Sequence, residues 1–455
     1  MSMVSTKALM LGTLLLALLC LGVLGQEVTK GLNYNKLTFG SCFRHQIQYK
    51  DSEILRRIIQ EKAGTYAWLG DFAYLDIIHT WPKVHFEYNS LEVIKQKFKD
   101  SYEDPEYVPL RTGGTKIVGV WDDHDSGINN SDQTNHLKEE IRQMFLDHVD
   151  EPKNSPRRTQ KGGMYGSYYL DLAKQIKLIL LDNRYSRDGP QDKSKPQSEK
   201  CVFGAEQLAW LQKEVEGSTA QFTLIANGNQ LLPDDRPIVE EFYQKTRDFV
   251  LTLFNPKTNI ILLSGDVHNG EIMTDQCTKF INGYEMREFT SSGMTHSVDS
   301  VTGALGDTVL DFLYPDTYNT VEDRFMKENY GVVEFELDNL NPSRSNVTVN
   351  IKDYWGRSRL HWKLNVEQDF PKRTKLDIEA YKKCVEAKGS PNTRFYSNLR
   401  KKALNPKHGA FYIIMTLALT TLIVLYVLWR LLWCLLNKLY CMMKNKKTGD
   451  KVKGD

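Results

Sequence analysis

Short polar motifs recur along this sequence, and most of their side chains are of types that bind metal ions. In chain order they are Gly40-Ser41-Cys42, Gly70-Asp71-Phe72-Ala73-Tyr74, Trp121-Asp122-Asp123-His124-Asp125, Leu181-Asp182-Asn183-Arg184, Asn227-Gly228-Asn229-Gln230 and Gly265-Asp266-Val267-His268. Carboxylate oxygens hold hard cations, and imidazole or thiolate groups add a preference for iron, zinc or manganese. A dinuclear centre of such groups could bind a phosphate between two metals and supply hydroxide near neutral pH for in-line attack on phosphorus. We therefore expect metal-dependent hydrolysis of a phosphoester.

Each motif also has a purely structural interpretation. A single Asp after a strand is usually a helix cap or an Asx-turn, but six such motifs in series are hard to explain as caps. Alone, Cys42 would be a small buried hydrophobe or half of a disulfide, and Tyr74 would be a core aromatic residue. Asp182 and Arg184 could form a buried pair that only orients the site. His296 could contact substrate or be a hydrogen-bonded structural histidine.

Apolar runs precede the motifs and predict the elements that would position them. Strand-like runs lie at 37–39, 66–69, 117–121, 176–181, 222–226 and 260–263. Helical periodicity is found at 52–61, 137–149, 205–216 and 239–254. This alternation predicts an α/β core, in which functional groups gather beyond the carboxyl ends of the strands. A strand-rich part follows, with a meander predicted at 330–337, 347–351 and 360–364.

Together the motifs carry a family resemblance. The chain resembles the alkaline phosphatase D (PhoD-like) family of the calcineurin-like metallophosphoesterase superfamily over about residues 36–364. The matching features are Gly-Ser-Cys, Gly-Asp-x-x-Tyr, Trp-Asp-Asp-His-Asp, Leu-Asp-x-Arg and Ser-Gly-Asp-x-His, in that order. Two later blocks, 288–293 and 330–333, also look like those of the family. The resemblance implies an α/β fold of the metallophosphoesterase type, a four-layer α/β/β/α sandwich.

The resemblance also implies a dinuclear or multinuclear metal site. Cys42, Asp71, Tyr74 and His268 would bind one metal, iron in the ferric state. Asp71 would bridge to a second metal, for which calcium, manganese and zinc are the candidates.

The second metal would be held also by Asp123 and Asp266. Gln230 is the closest match to a superfamily histidine ligand, although an amide is a weaker ligand. His124 matches the family's catalytic histidine, which stabilises phosphoryl oxygens or protonates the leaving group. Asp123 and Arg184 complete the expected catalytic set.

Apolar runs at both ends predict a membrane protein. The basic start and apolar middle of residues 1–25 indicate a cleaved signal peptide, with an uncleaved signal anchor as the alternative. Residues 410–429 form an uncharged run long enough to cross a bilayer. The predicted parts are listed in order: 1–25 signal peptide, 26–366 catalytic domain, 367–408 charged outer helix and juxtamembrane stalk, 409–429 transmembrane helix, and 430–455 basic cytoplasmic tail. We expect a single-pass type I protein whose catalytic domain is extracellular or luminal, at the cell surface or in the endolysosomal system.

An oxidising compartment sets expectations for the cysteines and for glycosylation. If Cys42 is a metal ligand, one disulfide would use two of Cys201, Cys277 and Cys384. Of the two acceptor sequons, the one at Asn346 is predicted to be glycosylated. The other, at Asn129, lies close to His124 in the sequence, where a glycan would crowd the site.

Three functions are compatible with the sequence. The first is hydrolysis of phosphomonoesters, and the second is cleavage of phosphodiesters, including phospholipase D-like release of phospholipid head groups. The third is a catalytically inactive membrane-anchored binding protein. The expected partners are a phosphoester substrate, either a small molecule or a phospholipid, and a membrane. The formal net charge of +2 and the lack of a basic stripe in the central region argue against a nucleic acid as a dedicated partner.

Overall fold

Buried strands account for the apolar runs that precede the motifs. A computed structural model describes residues 31–44, 53–81, 83–234, 242–253, 258–302, 317–371, 376–388, 421–422, 424–430 and 433. Its strands are β1 Asn33–Gly40, β2 Ala63–Leu69, β3 Ile77–His79, β4 His85–Glu87, β5 Lys116–Val120, β6 Gly166–Tyr169, β7 Ile176–Leu180, β8 Phe222–Ala226, β9 Ile260–Ser264, β10 Gly270–Asp275, β11 Met286–Ser291, β12 Arg324–Phe325, β13 Asn329–Glu336, β14 Asn346–Asp353 and β15 Ser358–Asn365. The six strand-like runs correspond to β1, β2, β5, β7, β8 and β9.

These strands form two large sheets and one small one. The first sheet has the order β15-β14-β13-β1-β2-β5, and its β1, β2 and β5 are parallel. The second has the order β12-β10-β11-β9-β8-β7-β6, and its β7, β8, β9 and β11 are parallel. The predicted meander is the antiparallel run β13-β14-β15. Among the described strands, β3 and β4 pair only with each other, as an antiparallel hairpin.

The helices lie between and after these strands. They are α1 Ile54–Gln60, α2 Leu91–Tyr102, α3 Val108–Thr112, α4 Lys138–His148, α5 Ala205–Glu216, α6 Gln244–Leu253, α7 Lys279–Asn282, α8 Val298–Thr302, α9 Val366–Asp369 and α10 Ile378–Lys388. The helix predicted at 239–254 begins only at Gln244, because Phe242 and Tyr243 are not helical. Residues 239–241 and 254 lie outside the described part.

Side chains that alternate along β2 sort the core into two clusters. Tyr66 and Trp68 pack with apolar side chains of α1, α2, α3 and α4. Ala67 and Leu69 belong to the larger cluster, which joins both sheets to side chains of α5, α6, α7 and α10. The mixed α/β fold predicted from the sequence is confirmed, with helices on the first sheet and on the second.

A disulfide fixes α10 to the second sheet. Cys277, directly after β10, is bonded to Cys384 in α10, whereas Cys42 and Cys201 carry free thiols. The prediction that the bridge uses two of Cys201, Cys277 and Cys384 is confirmed, and the structure decides which two. The helix therefore belongs to the compact unit Met1–Gly389, so part of the predicted outer segment 367–408 packs within the same unit as the two large sheets.

The second unit, Ser390–Asp455, is described at few positions. Residues 421–422, 424–430 and 433 are helical, and their side chains are exposed. In the described part of the chain, no helix combines the length and the apolar character that a membrane crossing requires. The predicted signal peptide and most of the predicted transmembrane segment 409–429 lie outside the described residues.

Candidate metal centre

The carboxyl ends of parallel strands in both sheets deliver the candidate ligands. Cys42 follows β1, Asp71 follows β2, and Asp123 follows β5 in the first sheet. Asp266 and His268 follow β9 in the second sheet. Parallel strands present their carboxyl ends at one edge of a sheet. Residues that follow different strands in the sequence therefore meet at that edge.

One group of ligand atoms forms around the thiol. Cys42, Asp71 and His268 each offer one ligand atom, and these atoms all lie within 4.8 Å of one another. The Cys42 Sγ donates to Asp71 Oδ2 at 3.7 Å and lies 3.0 Å from Ser292 Oγ. Ser292 also accepts the backbone N–H of His268 at 2.7 Å, and this bond holds the histidine loop beside the thiol.

A second group consists of carboxylates. Asp71, Asp122, Asp123 and Asp266 place one oxygen each within 4.8 Å of one another. Asp71 also forms a third group with Asp123 and His124. Asp71 is thus common to all three groups, which is the position that a bridging ligand would occupy.

Backbone conformation sets this cluster apart from the rest of the chain. Among the described residues, nine other than glycine have a positive φ, and five of them are candidate ligands: Cys42, Asp71, Tyr74, Asp266 and His268, with φ of 57°, 55°, 24°, 75° and 59°. Such conformations cost about 1–3 kcal/mol each and persist only where the surroundings enforce them. The unusual backbone conformation of these turns therefore directs the five side chains into the ligand cluster.

The turn after β2 shows how this aim is achieved. Gly70 has a φ of +85°, and a Cβ there would lie 2.4 Å from the Cβ of Asp122, so only glycine fits. The carboxylate of Asp125 accepts the backbone N–H groups of Asp71, Phe72 and Ala73. The Asp125 carboxylate therefore stabilises this turn, and we do not assign it to the metal ligands.

His124 is fixed by two carboxylates. Its Nδ1 lies 2.9 Å from Asp76 Oδ2, and its backbone N–H donates to Asp123 Oδ1 at 2.8 Å. Burial lowers the pKa of His124, but the charge of Asp123 and the hydrogen bond to Asp76 outweigh burial and raise that pKa above its ordinary value. The raised pKa therefore favours the protonated form of the His124 imidazole.

Tyr74 lies among three imidazoles and one guanidinium. Its hydroxyl is 2.6 Å from His296 Nε2 and 3.5 Å from His268 Nε2, and its ring packs against His124 with 4.4 Å between centroids. The guanidinium of Arg44 lies over the same ring, 4.4 Å from its centroid. His296 therefore contacts a candidate ligand directly, which favours a place in the site over a role elsewhere in the core.

Arg184 and Gln230, both predicted for the site, are each hydrogen-bonded to other buried side chains. Arg184 has a side chain that is 1% exposed, and its Nε donates to Asp122 Oδ1 at 2.5 Å. Among the described residues, the carboxylate that pairs with its guanidinium is thus that of Asp122 rather than that of Asp182. The Gln230 amide donates to Glu271 at 3.1 Å and to Thr290 at 3.0 Å, while its Oε1 has no hydrogen-bond partner among the described residues.

The donor set fits a metal centre. Asp71 Oδ1 and Asp122 Oδ2 are also buried without a hydrogen-bond partner in the described part of the chain. Burial and then the charges of Asp123 and Cys42 raise the pKa of Asp71, and burial raises the pKa of Cys42 to about 12. A bound cation would stabilise the ionised forms of all these groups at once. Hard oxygens beside a thiol and imidazoles suit two unlike metals.

Four site residues were not assigned from the sequence. Asp122 was visible in its motif but received no role. Asp76 lies two residues after Tyr74, Arg44 lies two residues after Cys42, and Ser292 lies in the block 288–293. Only proximity to a motif could have indicated them, because their partners come from other strands.

Comparison with known proteins places this chain in a family. The family model of PhoD-like phosphatases matches residues 37–336, more than half of the chain. A search of curated proteins found no match. Among solved structures, the chain is similar to PhoD, with 15% identity, a TM-score of 0.47 and coverage of 78% of this chain and 77% of that one.

It is also similar to the purple acid phosphatase PPD1 from yellow lupin (Lupinus luteus) seeds, with 11% identity and a TM-score of 0.47. That likeness covers 72% of this chain and about half, 53%, of the lupin chain. The family match confirms the resemblance that the motifs indicated. The chain belongs to the PhoD-like phosphatase family.

Proposed function

We propose that this protein hydrolyses phosphomonoesters with a dinuclear metal centre, one metal being iron and the other calcium, manganese or zinc. The observation that carries the proposal is the position of Asp71, whose carboxylate belongs to a thiol and imidazole group and to a carboxylate group. Cys42, Tyr74 and His268 would complete the first ligand set with Asp71. Asp123 and Asp266 would complete the second, together with Asp122.

Gln230 is the further candidate ligand, through its unpartnered Oε1. Bound metals would supply Lewis-acid activation of the phosphoryl group and of water. The chain's own residues hold the site in shape. Arg184 neutralises and orients Asp122, and we assign it a positioning role because its side chain is almost fully buried.

His124 is the proposed proton donor. Its Nδ1 faces Asp76, so the opposite ring nitrogen is the atom left to face substrate. As the oxygen of a water molecule bonds to phosphorus, the bond between phosphorus and the leaving-group oxygen breaks, and that oxygen takes the imidazolium proton and leaves as an alcohol. Asp123 and Asp76 favour the charged imidazolium before the transfer. Arg44, beside Tyr74, would attract the anionic substrate.

We also propose that the catalytic unit is held in an extracellular or luminal compartment by a C-terminal transmembrane helix. The bond between Cys277 and Cys384 supports an oxidising environment, because disulfides persist mainly outside the cytosol. The uncharged run 410–429 supports the anchor, as do the exposed apolar side chains at Leu422 and Val424.

Metal analysis and substrate assays test the proposed activity. The purified protein should contain two metals per chain by plasma mass spectrometry, one of them iron. It should hydrolyse nitrophenyl phosphate faster than bis-nitrophenyl phosphate. Faster turnover of the diester would replace the monoesterase assignment with a phosphodiesterase or phospholipase D-like one. A metal-loaded protein that turns over neither ester would indicate a binding protein.

A further inference from the structure

The hairpin β3-β4 carries a second cluster of metal-binding side chains, separate from the candidate centre. His79, His85 and Glu87 each offer one ligand atom, and these atoms lie within 4.8 Å of one another. The register pairs His79 with His85 across the hairpin. Glu87 lies two residues beyond His85 on the same strand, and residues so spaced share a face. All three side chains therefore lie on one face of a two-stranded sheet.

The distances within this cluster suit a single ion. His79 Nε2 lies 3.3 Å from Glu87 Oε2, and His85 Nε2 lies 3.5 Å from Glu87 Oε1. The two imidazole rings are stacked, with 4.4 Å between centroids and 7° between planes. His79 Nε2 is buried from water and receives no hydrogen bond from the described residues. Because an imidazole nitrogen binds a metal in the plane of its ring, the two parallel rings would have to turn towards each other to share one cation at about 2.0–2.2 Å.

From this geometry we propose that the hairpin binds a divalent transition metal at its outer face. Two imidazole nitrogens and one carboxylate oxygen are ligands for zinc or copper, with water at the remaining position. The side chains of His79, His85 and Glu87 are 39%, 48% and 58% exposed, so an ion can approach the cluster from solvent, and the buried Nε2 of His79 would face that ion once its ring turns.

The ion would stabilise an element that borders the active site. A two-stranded sheet with three residues in each strand is marginal on its own, and a metal bound to both strands would cross-link it. Phe86, between His85 and Glu87, has its ring centroid 5.8 Å from that of His124. Asp76, the hydrogen-bond partner of His124, directly precedes β3. The hairpin thus links the proposed ion to the surroundings of His124.

Zinc stoichiometry of the full-length protein tests the site. Protein with its centre loaded is equilibrated with Zn²⁺ at pH 7, and bound zinc is counted by plasma mass spectrometry. The wild type should bind one more equivalent of zinc than His79→Ala/His85→Ala. His136→Ala, which removes an exposed histidine outside the cluster, should bind as much as the wild type.

Copper provides an independent readout. With one equivalent of Cu²⁺, electron paramagnetic resonance of the wild type should show coupling to two nitrogens, and Glu87→Gln should keep this coupling while weakening the affinity. The double histidine variant should lose the coupling to two nitrogens. Equal zinc binding by the wild type and the double variant, both folded by circular dichroism, would overturn the proposal. A copper spectrum that is unchanged in the double variant would overturn it too.

Discussion

At the scale of single residues, the histidines of the candidate centre differ in the protonation state that their surroundings favour. His124 shares a group with Asp71 and Asp123, yet its Nδ1 is bound to Asp76, which is absent from every ligand group. His268, in contrast, has its pKa lowered to about 4 by burial and then by the charge of His124. A neutral imidazole suits a ligand, whereas a protonated one suits an acid.

Replacement of His124 should therefore reduce turnover without removing metal. For His124→Ala we expect kcat to fall by about 10²–10⁴-fold on an alkyl phosphate, the usual contribution of a general acid. The loss should be much smaller on nitrophenyl phosphate, because a good leaving group scarcely needs a proton. Steady-state kinetics on both substrates measure this contrast, with exposed His361→Ala as the control. Wild-type turnover of the alkyl ester by metal-loaded His124→Ala would contradict the role.

Replacement of Asp71 should remove metal and activity together. Asn tolerates the left-handed backbone at this position, so Asp71→Asn should fold, but its amide lacks the charge that a bridging ligand supplies. We expect metal content to fall by at least one equivalent per chain, with activity lost in proportion. Plasma mass spectrometry and assays on the same sample provide the measurement, and exposed Asp100→Asn is the matched control. Full metal content in Asp71→Asn would refute the bridging assignment.

At the scale of elements, a buried ion pair and a disulfide hold α6, β10 and α10 together. Arg247 in α6 donates to Asp275 at the end of β10 at 2.8 Å, and both side chains are at most 1% exposed. Lys388 of α10 pairs with the same carboxylate. Burial raises the pKa of Asp275, but the charges of Arg247 and Lys388 outweigh burial and lower that pKa below its ordinary value of 3.8.

The contribution of Asp275 to the free energy of unfolding should therefore vary with pH. A carboxyl group whose pKa is lower in the folded protein than in the unfolded chain stabilises the fold at pH values above its unfolded-state pKa. This contribution is lost as the pH falls through the folded-state pKa. At pH 7, Asp275→Asn should lower the free energy of unfolding by about 3–5 kcal/mol, because it removes the buried carboxylate that pairs with Arg247 and leaves that guanidinium only the partly exposed carboxylate of Asp248. The difference from wild type should narrow below about pH 4.

Denaturant unfolding at several pH values measures this effect. Glu336→Gln breaks the exposed pair with Lys363, whose side chains are 61% and 49% exposed, and should cost less than about 1 kcal/mol. A difference for Asp275→Asn that stayed constant from pH 7 to pH 3 would show that the charge of Asp275 is not what stabilises these elements.

At the scale of the whole molecule, the proposed topology places the two ends of the chain on opposite sides of a membrane. Protease added to sealed microsomes should remove only the tail 430–455 and leave the catalytic unit intact, because the bilayer shields the lumen. Antibodies against each end, with detergent-permeabilised microsomes as the control, follow the cleavage. Digestion of the catalytic unit in sealed vesicles would reverse the proposed orientation.

Glycosylation should distinguish the two sequons by their surroundings. The backbone N–H of Asn129 donates to Asp76, which binds His124, so a glycan there would crowd the candidate site. Asn346 begins β14 at a half-buried position, away from His124 in the sequence, and its side-chain amide donates to Glu336 and to the backbone carbonyl of Arg344. Peptide mass spectrometry should find a glycan at Asn346, and Asn346→Gln should lose it. Full occupancy of Asn129 in active protein would contradict the geometry of its loop.

The sequence by itself determined the order of the strands along the chain and the residue types that follow them. Buried strands of parallel sheets are uniformly apolar, and the glycines and acids beyond them are local signals, so Cys42, Asp71 and His268 could be named from the motifs. The three-residue strands β3 and β4 are too short to show an alternating pattern, and their pairing was not predicted.

Only the tertiary structure decided which side chains meet. Asp122 and Arg184, which bond to each other, follow strands of different sheets, and the hydrogen-bonded pair Asp76 and His124 is separated by 48 positions of sequence. Spacing could not choose Cys277 and Cys384 as the disulfide pair, because they are 107 residues apart and only the packing of α10 joins them. Motifs are local, whereas ion pairs, bridges and shared ligands depend on distances between strands that the chain sets only when it folds.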